Sequence, residues 1–259
     1  MDYNYIKNTA IGAAYGSGKI LCSHLGNLER VDKKGPQDLV TPADIASENH
    51  ILETLREKFP DHDVLAEESG DRTGGKNGCQ WIIDPLDGTT NFAHQLPVFS
   101  VSIAFAKDGK LRVGVVLNPA TGELFTAVAD QGASLNGRPI KVSDCRKLSE
   151  SLLVTGFPYD VKEDTAPYMK RFEQCLKAAM GIRRLGSAAL DLCFVACGRF
   201  EGFWEQNLKP WDTAAGTLIA REAGALVTDF SGAPYDPEKK EILATNGHMH
   251  EALRSILTG

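Results

Sequence analysis

Lysines and arginines gather into no block anywhere in this 259-residue chain. They number 28 against 34 acidic residues, for a net charge of −6. Non-specific nucleic-acid binding depends on a basic footprint, so no nucleic-acid partner is expected. Long apolar runs are equally scarce, and none nears the ~18 residues that suggest a membrane span. The N-terminus, MDYNYIKNTAIGAAYG, lacks a basic segment followed by an apolar core, so it does not read as a secretory signal. The six cysteines form no CxxC pair, and no histidines stand at zinc-finger spacing around them. Cys193 and Cys197, one turn apart in LDLCFVACG, read as small core residues of a reducing compartment. A cytoplasmic protein without a membrane partner is expected.

What is present is an ordinary globular composition, 42% hydrophobic and 24% charged. The length allows one large domain or two tightly joined halves. The first helix is expected over roughly 3–27. Thr41, Pro42 and Asp44 then form a capping box. The helix they open carries Ile45, Leu52, Leu55 and Phe59 on one face and stops at Pro60. VFSVSIAFAKDGKLRVGVVLNPATGELFTAVAD reads as an antiparallel meander, with turns at Asp108-Gly109 and Asn118-Pro119. After Gly137, strands (SLLVTG, RRL, EGFWE, EILATN) alternate with helices, one ending near Gly181 and others starting at Ser187 and Trp211. A mixed α/β fold follows. An α+β half, 1–140, carries the candidate site, and an α/β half, 141–259, completes it within one integrated fold.

Acids recur where apolar strands end: Glu67-Glu68 after VLA, Asp84 and Asp87 around WII, and Asp212 in WDTAAG. Layered α/β folds place ligands at such ends. Packed carboxylates repel, and burying each uncompensated costs several kcal/mol, roughly. Hard divalent cations remove that penalty, and Mg²⁺ is held by a few carboxylates together with water and substrate phosphate. In DPLDGTT, Pro85 stiffens the strand exit and the Leu86 carbonyl offers a further oxygen. Gly88 permits close backbone approach, and Thr89-Thr90 open a helix whose N–H groups suit an anion. Each acid taken singly also fits an Asx-turn or a cap. The aspartyl-phosphate motif is excluded by spacing, the EF-hand by its missing acids, and GAAYGSGKI lacks the glycine and hydroxyl of a phosphate loop.

Together, DLVTPAD (38–44), AEES (66–69), DPLDGTTNF (84–92), GSAA (186–189) and WDTAAG (211–216) resemble the inositol monophosphatase family of Mg²⁺-dependent, Li⁺-sensitive phosphatases. The resemblance implies a five-layer α-β-α-β-α sandwich, shared with fructose bisphosphatase, and a homodimer. It implies two to three Mg²⁺ ions: one on Glu67, Asp84 and the Leu86 carbonyl, a second on Asp84, Asp87 and Asp212, a third leaning on Glu67. Thr89, paired with Asp44, would activate the attacking water, and the amides of Gly88 and Thr89 would grip phosphate. Glu205 would meet a sugar hydroxyl, Gly186, Ser187 and Ala188 would line the pocket, and Lys33 would close over it from a flap. The implied activity is hydrolysis of inositol monophosphate or a similar polyol or sugar phosphate. Fructose bisphosphate, NADP, histidinol phosphate and adenosine bisphosphate are rival substrates, and a regulatory binding protein retaining the fold is the rival class.

No serine or cysteine nucleophile is needed, so neither Ser187 nor Cys197 is nominated. His94 is expected at the surface or behind the site, and His248 and His250 at a solvated helix start. One of Arg183 and Arg184 stands to meet substrate or a partner subunit. The Gly-rich loop EESGDRTGGKNGCQ has no assigned role.

Overall fold

A computed structural model describes residues 1–28, 30–33, 39–72 and 77–259, without the side chains of residues 33, 71 and 72. Helix α1 (Tyr3–His24) is capped by the Asp2 carboxylate, which accepts from the Asn4 and Tyr5 amides. A short pair, β1 (Asp32–Lys33) and β2 (Leu39–Val40), leads to α2 (Pro42–Lys58). The capping box forms as expected: Ala43 N–H donates to Thr41 Oγ1, and Thr41 N–H donates to Asp44 Oδ2 at 2.8 Å.

Next come β3 (Asp63–Ala66), β4 (Gly70–Arg72), β5 (Cys79–Asp87), α3 (Thr89–Ala93), β6 (Ser100–Lys107), β7 (Lys110–Asn118), β8 (Glu123–Val128), β9 (Ala133–Leu135) and β10 (Arg138–Pro139). All these strands join one eight-stranded sheet in the order β10-β9-β8-β7-β6-β5-β3-β4. The expected meander is its centre. Asp108 and Gly109 both take positive φ (51° and 72°), the twist-matched geometry of a two-residue hairpin loop.

The chain continues through β11 (Leu152–Thr155), α4 (Ala166–Ala178), β12 (Gly181–Arg183), α5 (Ala188–Ala196), β13 (Gly202–Gln206), α6 (Pro210–Glu222), β14 (Leu226–Thr228), β15 (Glu241–Thr245) and α7 (His250–Thr258). These strands form a five-stranded sheet, β12-β11-β13-β15-β14. Helices α1 and α2 cover the outer face of the large sheet, α5 and α6 lie between the sheets, and α4 and α7 cover the far side. The fold is thus the mixed α/β, five-layer α-β-α-β-α sandwich.

Period-two side-chain alternation explains why both sheet faces are apolar. Trp81, Ile83, Ile103 and Phe105 point to the core under α1 and α2, whereas Ile82, Ala104 and Ala106 join the core around α5 and α6. Small residues let α6 press in closely. A Cβ on Gly114 of β7 would stand 2.7 Å from the Ala215 carbonyl, and one on Gly216 would stand 2.8 Å from Leu192 Cβ. The AAG of WDTAAG is therefore a packing requirement as well as the tail of a motif.

Three expectations are corrected. Ile45 is 46% exposed, and the buried face of α2 is Ala43, Asp44, Ser47, Glu48, Ile51, Leu52 and Leu55. Polar residues take the inner face because the helix N-terminus points at the acidic strand ends rather than at the core. The second strand of the small sheet in chain order is Gly181–Arg183 and not RRL, because its preceding helix ends at Ala178.

His250, placed by sequence at a solvated helix start, is only 2% exposed. The Thr228 hydroxyl donates to the Asp229 carbonyl, so it accepts from Nε2–H; Nδ1 in turn accepts from the Thr245 hydroxyl. The ring is neutral and fully bonded. Burial holds its pKa below the usual 6.5. The unfolded chain then binds a proton that the fold refuses, so the stability from this group is intact above ~6.5 and lost as pH falls through the folded value. Melting curves of wild type and His250→Gln should converge on acidification below about pH 6.5. A constant gap would show that burial does not hold the ring neutral.

Candidate active site

The acids singled out by sequence converge at the edge between the two sheets. Strand β5 does not stop at Asp84. It bulges between Asp84 and Asp87, and pairing resumes at Asp87 opposite Ser100. The bulge turns both carboxylates the same way despite their three-residue spacing. It is braced from behind, where the Ser47 hydroxyl donates to the Pro85 carbonyl at 2.8 Å and meets Ser17 Oγ at 2.5 Å.

Each carboxylate is aimed by at least one protein hydrogen bond. Asp84 Oδ1 accepts the Leu86 amide at 2.9 Å. Asp212 Oδ2 accepts the Lys209 amide at 2.7 Å across the first turn of α6. Asp87 Oδ2 collects the Ser187 hydroxyl, the Ala189 amide at 3.0 Å and the Ser100 hydroxyl at 3.3 Å. The Asx-turn and cap readings of Asp84 and Asp212 are therefore true, and they serve to orient the acids. Glu67 follows β3, where the buried Glu48 carboxylate accepts the Glu68 amide at 2.8 Å and fixes the AEES turn.

The electrostatics of this cluster are unfavourable. Asp84 is held well above the usual carboxylate range, by burial first and then by Glu67, Asp87 and Asp212. Asp212 is raised well above it too, by burial and, less strongly, by Asp87 and Glu67. Asp87 is raised to about 6 by burial, against the pull of its hydrogen-bond donors. Among the described residues, none of the three forms an ion pair with a basic side chain. As the side chains stand, no three His, Cys, Asp or Glu among the described residues are placed to hold a metal ion. Such an open set suits hard cations that keep several waters.

Gly88 sits at the mouth with φ +90°, and a Cβ there would stand 2.9 Å from the Val98 carbonyl. No side chain caps the first turn of α3. Thr89 Oγ1 lies 3.0 Å from the Leu86 carbonyl and 3.2 Å from Asp44 Oδ1. Asn91 donates to the Val98 and Leu185 carbonyls at 2.7 and 2.8 Å and draws the GSAA turn against α3. A cavity of about 480 Å³ opens over this floor, lined by Asp87, Gly88, Thr89, Asp212, Glu205 and residues 186–188. Glu205 is buried, and its pKa is pushed up to about 8 by burial, partly offset by Arg184.

Lys33 contributes backbone to β1, but its side chain lies outside the described residues, as do Lys34 and 73–76 of the Gly-rich loop. Of the arginine pair, Arg184 lines the cavity, while Arg183 is exposed and donates to the Ile182 carbonyl. His94 is exposed. Sequence reasoning missed Asp191, which is 1% exposed and held well above the carboxylate range by burial, Glu205 and Asp87. An acid inside the apolar run LDLCFVA was the available signal.

Comparison with known proteins agrees with this geometry. The model of the inositol monophosphatase family matches residues 2–258. The chain belongs to that family. Its members are phosphoric monoester hydrolases, and so is this protein. The inositol-1-monophosphatase of Synechocystis is 46% identical over 96% of this chain and 87% of its own. The structure of an inositol monophosphatase from Anabaena superposes with a TM-score of 0.91 at 44% identity, covering 100% of this chain and 97% of that one. The Escherichia coli protein named Nus factor SuhB is 42% identical over 95% of this chain and 93% of its own.

Proposed function

We propose that this family member is a Mg²⁺-dependent phosphatase of inositol monophosphate or a closely similar polyol phosphate. The observation that carries the reading is three buried, mutually repelling carboxylates, Asp84, Asp87 and Asp212, without basic partners among the described residues, at the floor of a substrate-sized cavity. Replacing them with neutral residues would relieve the strain, so their persistence calls for a cation. The donor set is all oxygen, which fits Mg²⁺. Glu67, Asp84 and the Leu86 carbonyl would hold one ion, Asp84, Asp87 and Asp212 a second, and Glu67 with water a third. When bound, the ions supply a water acidic enough to attack near neutral pH and positive charge for phosphate and leaving oxygen.

The protein's own groups do the rest. The Thr89 hydroxyl has one proton and two acceptors within reach. Once the Leu86 carbonyl is engaged elsewhere, that proton goes to Asp44, and the Thr89 lone pair is free to orient the attacking water. The uncapped amides of Gly88 and Thr89 receive phosphate oxygens. Glu205 faces the leaving group, residues 186–188 form the side wall, and Lys33 is assigned to the flap. The halves 1–140 and 141–259 act as one unit, since each contributes acids to the same cluster.

No helix among the described residues is long and apolar enough to cross a membrane. We place the protein in the cytoplasm as a homodimer; exposed Met169, Leu176 and Met180 on and beside α4 offer apolar surface for pairing. The SuhB-named relative favours a second, regulatory binding role alongside catalysis. A panel of inositol, fructose, histidinol and NADP phosphates with Mg²⁺, with and without Li⁺, tests the reading. Fastest turnover of inositol phosphate, lost with chelator and depressed by Li⁺, is expected. Chelator-resistant turnover would refute the metal assignment.

A further inference from the structure

Gly156 follows β11, whose last residue, Thr155, is in parallel register with Trp204 and donates its hydroxyl to the Trp204 carbonyl at 2.7 Å. This fixes Gly156 beside Glu205. A Cβ built on Gly156 would overlap Oε1, Oε2 and Cδ of Glu205, and those are the three nearest atoms to it. The Gly156 φ is not positive, so its conformation does not require glycine. Space alone requires it: the Glu205 carboxylate lies flat over the bare backbone. Gly186, whose φ of +89° favours glycine in its own right, also leaves room for a neighbouring side chain. A Cβ on Gly186 would stand 2.5 Å from Arg184 Nη1. Two glycine notches thus seat the acid and the base of one cavity wall, and Arg184 is the cation that acts on Glu205.

We infer that Gly156 is a specificity-determining position, whose missing side chain seats the Glu205 carboxylate to accept hydrogen bonds from adjacent hydroxyls of the leaving group. The Glu205 carboxyl presents two oxygens side by side, each of which can hydrogen-bond a hydroxyl, so the leaving group selected is a polyol with neighbouring hydroxyls. A site built around such hydroxyls rejects esters that lack them, because the buried acid is then left unpaired. In Gly156→Ala the atoms that must yield are the far end of a flexible side chain, so Glu205 swings away while the backbone stays. This inference rests on the phosphatase reading above, and Gly156 acts on substrate only through Glu205.

The test compares kcat/KM for inositol monophosphate with that for p-nitrophenyl phosphate, whose leaving group has no neighbouring hydroxyls, both with Mg²⁺. In Gly156→Ala the polyol-to-aryl ratio should fall at least about tenfold, mostly through KM for the polyol ester. Glu205→Gln should lower it comparably, and the double variant by no more than about twofold further, since groups in contact are not additive. A Gly156→Ala ratio within about twofold of wild type, or additive losses in the double variant, overturns the inference. Should Gly156→Ala lose its melting transition, Gly156→Ala/Glu205→Ala should regain it because the overlapping atoms are gone. An unfolded double variant overturns the inference too. Wild type that cleaves neither ester refutes the phosphatase reading instead, so the two failures are distinct.

Discussion

Asp87→Asn is expected to lower Mg²⁺-dependent turnover by at least ~10³-fold while the metal-free protein melts at or above the wild-type temperature. Loss of a group that merely orients a ligand costs about 10–100-fold, and Asp87 is assigned to the ion shared with Asp84 and Asp212. The fold survives because asparagine keeps a carbonyl oxygen for the Ser187 and Ser100 hydroxyls and the Ala189 amide. Removing the charge also relieves Asp84 and Asp212, both of which Asp87 pushes upward. Steady-state kinetics with a thermal melt separate these effects. Turnover within about tenfold of wild type would remove Asp87 from the metal site.

Saturating Mg²⁺ is expected to raise the melting temperature of metal-stripped wild type by roughly 5–10 °C. An ion present at ~100 times its dissociation constant adds about 2.7 kcal/mol, and each kcal/mol shifts a chain of this size by about 2–4 °C. The physical source would be the repulsion itself: the fold gathers anions that the unfolded chain disperses, so a cation would bind the fold selectively. Asp84→Asn and Asp212→Asn should each lose most of this shift. Equal shifts in wild type and both variants would show that Mg²⁺ acts elsewhere.

Local signals proved the most readable part of the chain. Thr41-Pro42-Ala43-Asp44 specified a cap, and Asp108-Gly109 specified a hairpin, because few backbone geometries suit those residues. The acids were legible as a group because hostile charges need a common explanation, although Asp212, expected at a strand end, stands in the first turn of α6. What escaped was set by tertiary contact. Ile45 fits an apolar stripe, yet the neighbouring acids claim the inner face of α2. Pro85 looked like a strand end, but the bulge lets pairing resume at Asp87. His250 is buried between Thr245, which directly precedes NGHMH, and Thr228, 22 residues back and outside any window around that motif. Gly156 carries no pattern at all; its meaning lies in a carboxylate 49 positions further along the chain.

Calorimetric titration of Mg²⁺ into metal-stripped wild type and Asp87→Asn asks most directly whether shared dications hold these anions together. Saturable uptake of two or more ions per chain by wild type, and of fewer by the variant, is expected. No saturable uptake by wild type, alongside phosphatase turnover that survives chelator, would contradict it.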